Sequence, residues 1–138
     1  MLPVNCGSHA DYQHFVVTNY RKYYPDPDAP ARSTWDIIER FWNLDLSFTD
    51  TFMADKYSKF GPTPRTPSCM QRSYLLSIDF KVTSLTEWAA QLKMNPLYAI
   101  LSGFEPGNTP GVGTFYDFIN RLWNSDYTQF FLKEALIL

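Results

Sequence analysis

Apolar residues recur along this chain at spacings of three and four, the period of helices that bury one face. Ser8 is placed to cap a first helix running to about Tyr23, with Tyr12, Phe15, Val16, Tyr20 and Tyr23 on its buried side. The run Pro25-Asp-Pro-Asp-Ala-Pro30 ends it, because proline fixes φ and disfavours helix in the residue before it. Ser33 and Asp36 predict a capping box that opens a second helix to about Asn43. Trp35, Ile38 and Trp42 line one side of that helix, with Ile37 and Phe41 beside them, so it is expected to be buried between two neighbours. A shorter helix is predicted from Phe48 to Tyr57, with Ser47 or Thr49 near its start. The stiff loop Gly61–Pro67 follows, expected to present Arg65 to solvent. The next helix, about Ser68 to Phe80, is predicted to bury Met70, Tyr74, Leu75 and Ile78, leaving Gln71 and Arg72 off that stripe.

The stretch from Ser84 to Trp123 is the best punctuated. Ser84 and Glu87 form a capping-box pattern, and Trp88, Ala89 and Leu92 share one face of the helix it opens. Asn95-Pro96 stops that helix and starts a short one, Leu97 to Ser102, which ends at Gly103 where a left-handed residue is expected. A loop with two prolines and three glycines covers Glu105 to Gly113. Thr114 and Asp117 predict a second capping box for a helix from Phe115 to Trp123, with Phe115, Phe118, Ile119 and Leu122 as its stripe. Asp126 caps a last predicted helix, Tyr127 to Leu138. No Val/Ile/Thr alternation is long enough for a strand. The predicted fold is all-α: one domain over residues 1–138, a compact bundle of six to eight short helices with a helix-turn-helix-like segment at 84–123.

Composition narrows the classes. In 138 residues, 45% are hydrophobic and 17% aromatic, which excludes a disordered chain. The formal charge of −2 does not announce a nucleic-acid binder, but its distribution is uneven. Residues 56–93 hold six basic side chains (Lys56, Lys59, Arg65, Arg72, Lys81, Lys93) against two acidic ones, and form the one electropositive segment. Cys6 and Cys69 lie far apart, and with two histidines there is no zinc pattern. A reduced, cytoplasmic compartment is therefore expected. The first residues have neither a basic nor an apolar signal region, and no apolar run approaches a membrane span.

Catalytic signals are weak. Asp45, Asp50, Asp55, Asp79 and Glu87 would have to converge to hold metal ions, and each reads more simply as a cap or a solvated helix face. Cys69 and His14 have no local group to orient them as nucleophile and base. Gly111-Val112-Gly113-Thr114 lacks the strand and lysine of a phosphate-binding loop. In a helix-turn-helix reading, the last helix begins Thr-Phe-Tyr-Asp, poor in the side chains that read base edges. The basic residues of 56–93 are better suited to phosphates, which confer position and salt-sensitive affinity; solvation of helix faces is the plainer alternative.

Leu101-Ser102-Gly103-Phe104, then Pro110, then Thr114-Phe115-Tyr116-Asp117-Phe118 and Arg121-Leu122, resemble the N-terminal domain of insertion-sequence transposases of the DDE type. More loosely, the resemblance reaches upstream to about Leu44. In that family an RNase H-like core with two Asp and a Glu normally follows, and the sequence in hand stops at Leu138 before one. The resemblance implies a prokaryotic, nucleoid-associated domain that binds the duplex DNA of an element's ends and helps assemble the transposition complex. It also implies catalytic inertness of this chain by itself, with Mg²⁺ belonging to the core and no cofactor here. Lys59, Arg65, Arg72, Lys81, Lys93 and Arg121 are the expected DNA contacts, and Ser84, Glu87, Gly103, Pro110 and Thr114 the structural determinants. A homodimer is a further implied partner. The competing reading is a helical interaction module that dimerises or docks a protein through Tyr20, Tyr23, Tyr24, Trp42, Trp123 and Phe130-Phe131, without touching DNA.

Overall fold

Seven helices and no strand form among the residues that the structure, a computed structural model, describes: 8–26, 30, 32–54 and 65–123. In chain order they are α1 (His9–Tyr23), α2 (Arg32–Asn43), α3 (Phe48–Met53), α4 (Pro67–Asp79), α5 (Leu85–Met94), α6 (Pro96–Ser102) and α7 (Val112–Trp123). The fold is all-α, as the pattern predicts. Lys59, most of the Gly61–Pro67 loop, the end of the predicted third helix and the predicted helix from Tyr127 lie outside the described residues.

Most helix ends follow from local chemistry. Ser8 caps α1: its hydroxyl accepts from the Asp11 amide at 3.2 Å while the Asp11 carboxylate takes the Ser8 amide at 3.0 Å. Ser84 Oγ accepts from the Glu87 amide and opens α5, one half of the predicted box. Asn95 Oδ1 takes the Leu97 amide, and Pro96 stands at the first position of α6. Gly103 ends α6 at φ +102°, with the Phe104 amide reaching back to Ala99 O at 2.9 Å. A Cβ at Gly103 would stand 2.7 Å from Cys69 Sγ, so α6 and α4 approach as closely as they do only because this residue is glycine.

Two predicted starts are corrected. α2 begins at Arg32, so Ser33 lies inside the helix rather than at its cap. α7 begins at Val112, two residues before Thr114; its first turn closes through the Thr114 and Phe115 amides on Gly111 O. The predicted Thr114–Asp117 box is therefore not the start of α7.

α4 packs against α3, α6 and α7, and α6 also packs against α1 and α5. The core between them holds Trp88, Leu92, Ala99, Ile100, Leu101, Phe104, Phe115 and Phe118 with Val16, Phe41, Met53, Met70 and Leu76. Phe80, Trp88 and Tyr98 stack in one aromatic group, with 4.3 Å between the Phe80 and Tyr98 ring centroids and 5.2 Å between Trp88 and Tyr98. Tyr23, predicted to be buried, is exposed at the end of α1.

The largest correction concerns α4. Met70 is buried as expected, but Tyr74 and Ile78 face out, Ile78 being 57% exposed. Ser68, Gln71, Arg72, Ser73 and Ser77 are buried instead. Burying polar groups costs free energy unless each finds a partner; Ser77 donates within α4 to Tyr74 O at 2.6 Å, and the partners of the others come from distant helices. Ser68 bonds Asp50 of α3 through amide and hydroxyl (2.7 and 2.9 Å), Gln71 accepts from Thr49, and Ser73 Oγ accepts from the Trp88 indole N–H at 2.9 Å. Arg72 donates to Ser102 O at 3.3 Å and lies over the Tyr12 ring, 3.7 Å from its centroid.

Candidate nucleic-acid interface

α4 ends in a turn that a side-chain-bearing residue rarely makes. Lys81 has φ +60°, its amide bonds Ile78 O at 3.0 Å, and the Val82 amide returns to Ser77 O at 2.9 Å. This hydrogen-bond pattern is the one that Gly103 makes at the end of α6, but with lysine in the left-handed position where glycine is favoured. A Cβ there costs roughly 1 kcal/mol. The turn leads directly to Ser84 and the start of α5.

The end of α4, where Tyr74 and Ile78 are exposed and Ser77 is buried beneath them, together with this turn and α7 encloses an open cleft of about 490 Å³. Tyr74, Ser77 and Ile78 line it from α4, Lys81, Thr83 and Ser84 from the turn, and Tyr116 and Ile119 from α7. Five of these carry hydroxyls, one carries a positive charge, and none is acidic. The first amides of α5 open beside them, at the positive end of the helix dipole. Lysine, Ser/Thr/Tyr hydroxyls and helix N-termini are the groups that meet phosphate and sugar in protein–DNA contacts.

The expected contact residues separate in space. Lys81 lines the cleft, and Lys93 (at the end of α5) and Arg121 (on α7) are exposed. Arg65 is half-buried and fastened to the α6–α7 loop, donating to Asn108 O at 2.8 Å and to Asn108 Oδ1 at 3.0 Å. Arg72, expected at a phosphate-contacting surface, is 2% exposed and lies inside the bundle. Its stem belongs to the polar face of α4 that Asp50, Tyr12 and Ser102 draw inward. Tyr74, Thr83 and Tyr116 escaped sequence reasoning as contact residues: Tyr74 looked like core by period, no motif singles out Thr83, and Tyr116 stands in the 114–118 run that carries the resemblance without being assigned a contact.

Among the described residues, the groups considered for catalysis are not gathered at one point, and Asp55 lies outside them. Cys69 is a free thiol, pushed up from its usual range by burial, the Arg72 guanidinium opposing that rise. His14 is exposed on the other side of α1 from Tyr12. Asp50 caps α4 from a distance. Among the described residues no three His, Cys, Asp or Glu side chains stand close enough to share a metal ion, and no helix is long and apolar enough to cross a membrane.

No family model matches the chain, and no curated protein or solved structure matches it significantly.

Proposed function

We propose that this chain is the DNA-end-binding and assembly domain of a DDE-type transposase, catalytically inert by itself and acting ahead of a separate catalytic core. The observation that carries the reading is Lys81: a lysine held in a strained left-handed turn at the edge of an acid-free, hydroxyl-lined cleft. Strain at a position that glycine would relieve is retained where the side chain has work to do. In this reading Lys81 and the α5 N-terminus meet one phosphate of the duplex. The hydroxyls of Thr83, Tyr74 and Tyr116 hold the neighbouring backbone, and Lys93 and Arg121 add charge from α5 and α7. The family resemblance adds support from a different direction. Among the residues that carry it, Leu101, Ser102, Phe104, Pro110, Phe115 and Phe118 are buried, the last two on α7, the helix that forms one wall of this cleft.

The test is fluorescence anisotropy on the terminal duplexes of the chain's own element, with a scrambled control and a salt titration. Wild type should prefer the end sequence and lose affinity steeply with salt. Lys81→Gly should weaken binding about tenfold while leaving stability within about 1 kcal/mol of wild type, since relief of the turn is offset by the freedom glycine adds to the unfolded chain. Absence of binding at low salt would overturn the reading, as would a Lys81→Gly protein that binds like wild type.

A second reading, dimerisation without DNA, has its own observation. α1 and α2 flank a mainly apolar groove of about 450 Å³ lined by Val16, Val17, Tyr20, Trp35, Ile38 and Trp42 together with the charged Arg21, Asp36 and Glu39, with Trp35 38% exposed. In this reading the occupant is a second copy of the chain. Sedimentation of wild type against Trp35→Glu separates the two: a dimer that this change dissolves, together with no DNA affinity, would favour it.

A further inference from the structure

A different cavity, of about 140 Å³, opens between the start of α1 and the first turns of α4, lined among others by His9, Tyr12, Thr66, Ser68, Cys69 and Arg72. Two buried nitrogens of its lining residues have no hydrogen-bond partner: Arg72 Nε and His9 Nδ1. Their chemistry is constrained. His9 Nε2 lies 2.8 Å from Trp42 O, and because a carbonyl only accepts, that nitrogen carries the proton. In neutral imidazole Nδ1 is then a bare acceptor, and in imidazolium it is a donor. Arg72 Nε–H is always a donor. Both residues lie against the same ring: His9 has its centroid 6.0 Å from that of Tyr12, and Arg72 Cζ stands 3.7 Å from it.

Charge makes the case sharper. The Arg72 guanidinium is nearly wholly buried, yet among the described residues no carboxylate stands within ion-pair distance of it. The Tyr12 ring face and Ser102 O compensate it in part, and Asp45 and Asp50 act on it only at longer range. Asp11, the acidic residue at the rim, is engaged at the Ser8 amide. A single bridging water would accept from Nε–H and donate to Nδ1, but would leave the guanidinium charge unbalanced.

We propose that His9 and Arg72 form a binding site for a small oxyanion of the phosphate class, which accepts from Arg72 Nε–H and from the imidazolium Nδ1–H of His9. Thr66, at the rim of the cavity, supplies a further donor. The cavity volume suits a single phosphate group. The ligand is either the free ion or the terminal phosphate of a nucleic-acid strand. The site does not depend on the DNA reading above, since inorganic phosphate alone suffices to probe it.

Because the bound state uses imidazolium, affinity rises as pH falls. The groups facing His9 and Arg72 are Asp11 and Tyr12 on α1, Asp45 before α3, Asp50 on α3, and Cys69 on α4. None of them takes the His9 Nδ1–H, which no described residue accepts.

The experiment is a titration of the ¹⁵N-labelled full chain with inorganic phosphate at constant ionic strength and about pH 6 and pH 8, following the Arg72 Nε–H resonance and, in every variant including Arg72→Lys, the backbone amides of the cavity-lining residues Thr66 and Cys69. A saturable shift with Kd of about 1 mM, at least fivefold weaker at the higher pH, is expected. His9→Gln and Arg72→Lys should each weaken it about tenfold or more. His9→Gln can still donate to Trp42 O and serves where the Arg72 variant fails to fold. A 5′-phosphorylated dinucleotide against its unphosphorylated form then distinguishes a strand terminus from the free ion. No saturable shift up to about 20 mM of either phosphate source overturns the proposal, as does binding that both variants leave unchanged.

Discussion

Replacing Asp50 with alanine should cost about 3 kcal/mol. Thr66 precedes α4 but makes no side-chain cap; Asp50, on another helix, supplies it. Its carboxylate accepts from the Ser68 amide at 2.7 Å and from Ser68 Oγ at 2.9 Å, and the residue is 3% exposed. The Ser68 amide is one of the donors that a helix start leaves without an internal partner. Orphaning it in a buried position costs about 1–3 kcal/mol, and loss of the charge-assisted bond to the hydroxyl adds roughly 1 kcal/mol. In a chain of this size the sum corresponds to a fall in Tm of roughly 10 °C.

Asp50→Asn separates charge from geometry. An amide oxygen can take the Ser68 N–H and its NH₂ can donate to the hydroxyl, so stability near neutral pH should stay within about 1 kcal/mol of wild type. The pH profile distinguishes them. Burial raises the Asp50 carboxyl above the usual carboxylate range, outweighing the Ser68 hydrogen bonds and the Arg72 charge that lower it. The folded chain therefore keeps this proton to higher pH than the unfolded chain does. The stability from that proton is fully present below the unfolded value, near 4, and is lost as pH rises through the folded value. Asparagine has no such proton. Urea unfolding followed by circular dichroism between about pH 4 and pH 7 should show the Asp50→Asn protein gaining on wild type as pH rises. A gap that stays constant with pH, or an Asp50→Ala protein within about 0.5 kcal/mol of wild type, would refute the reasoning.

Gly103→Ala should destabilise by about 2 kcal/mol, since it puts a Cβ both at a left-handed φ and against Cys69 Sγ. Adding Cys69→Ala should recover the steric share but not the backbone share, a difference that a double-mutant cycle in urea would measure. Ser73→Ala leaves the buried Trp88 indole N–H without its acceptor and should cost about 1–2 kcal/mol by the same denaturation assay. Arg40→Ala, by contrast, removes a 2.6 Å ion pair to Asp79 whose arginine is 59% exposed, and should change stability by less than about 1 kcal/mol.

What the sequence makes legible is what is encoded within a few residues. Ser8, Ser84, Asn95-Pro96 and Gly103 each satisfy or terminate a helix through atoms no more than five positions away, so their roles can be read in order along the chain. The start of α7 is less legible because Gly111 and Val112 close the first turn through backbone alone, leaving Thr114 as a decoy. The orientation of α4 is not legible at all by hydrophobic period. Tyr74 and Ile78 belong to its apolar stripe, yet the buried side is chosen by Asp50, Thr49, Tyr12, Ser102 and Trp88. These partners lie between 15 and 60 residues away in sequence. Arg72 is misplaced for the same reason: a lone arginine reads as surface until its aromatic partner and carbonyl acceptor are known. Lys81 gives no local sign either, since the residue that favours a left-handed turn is glycine and none stands there.

The misread face of α4 is also what creates the cleft. Positions 74, 78 and 81 fall on one side of the helix and its terminal turn, roughly opposite Arg72. Had α4 buried its apolar stripe, Tyr74 and Ile78 would be core, Ser68, Gln71, Arg72 and Ser73 would face water, and no groove would lie between α4 and α7. The buried polar pairs prevent that rotation, because turning the helix would strand the Asp50 carboxylate, the Trp88 indole and the Ser102 carbonyl together. Each pair adds little net stability over an apolar equivalent. Their joint effect is selection of one orientation, and that orientation places Tyr74, Ser77 and Lys81 on the same cleft as Tyr116 of α7. Hydrogen bonds inside the bundle thus set the shape of the surface on which the proposed DNA contact depends.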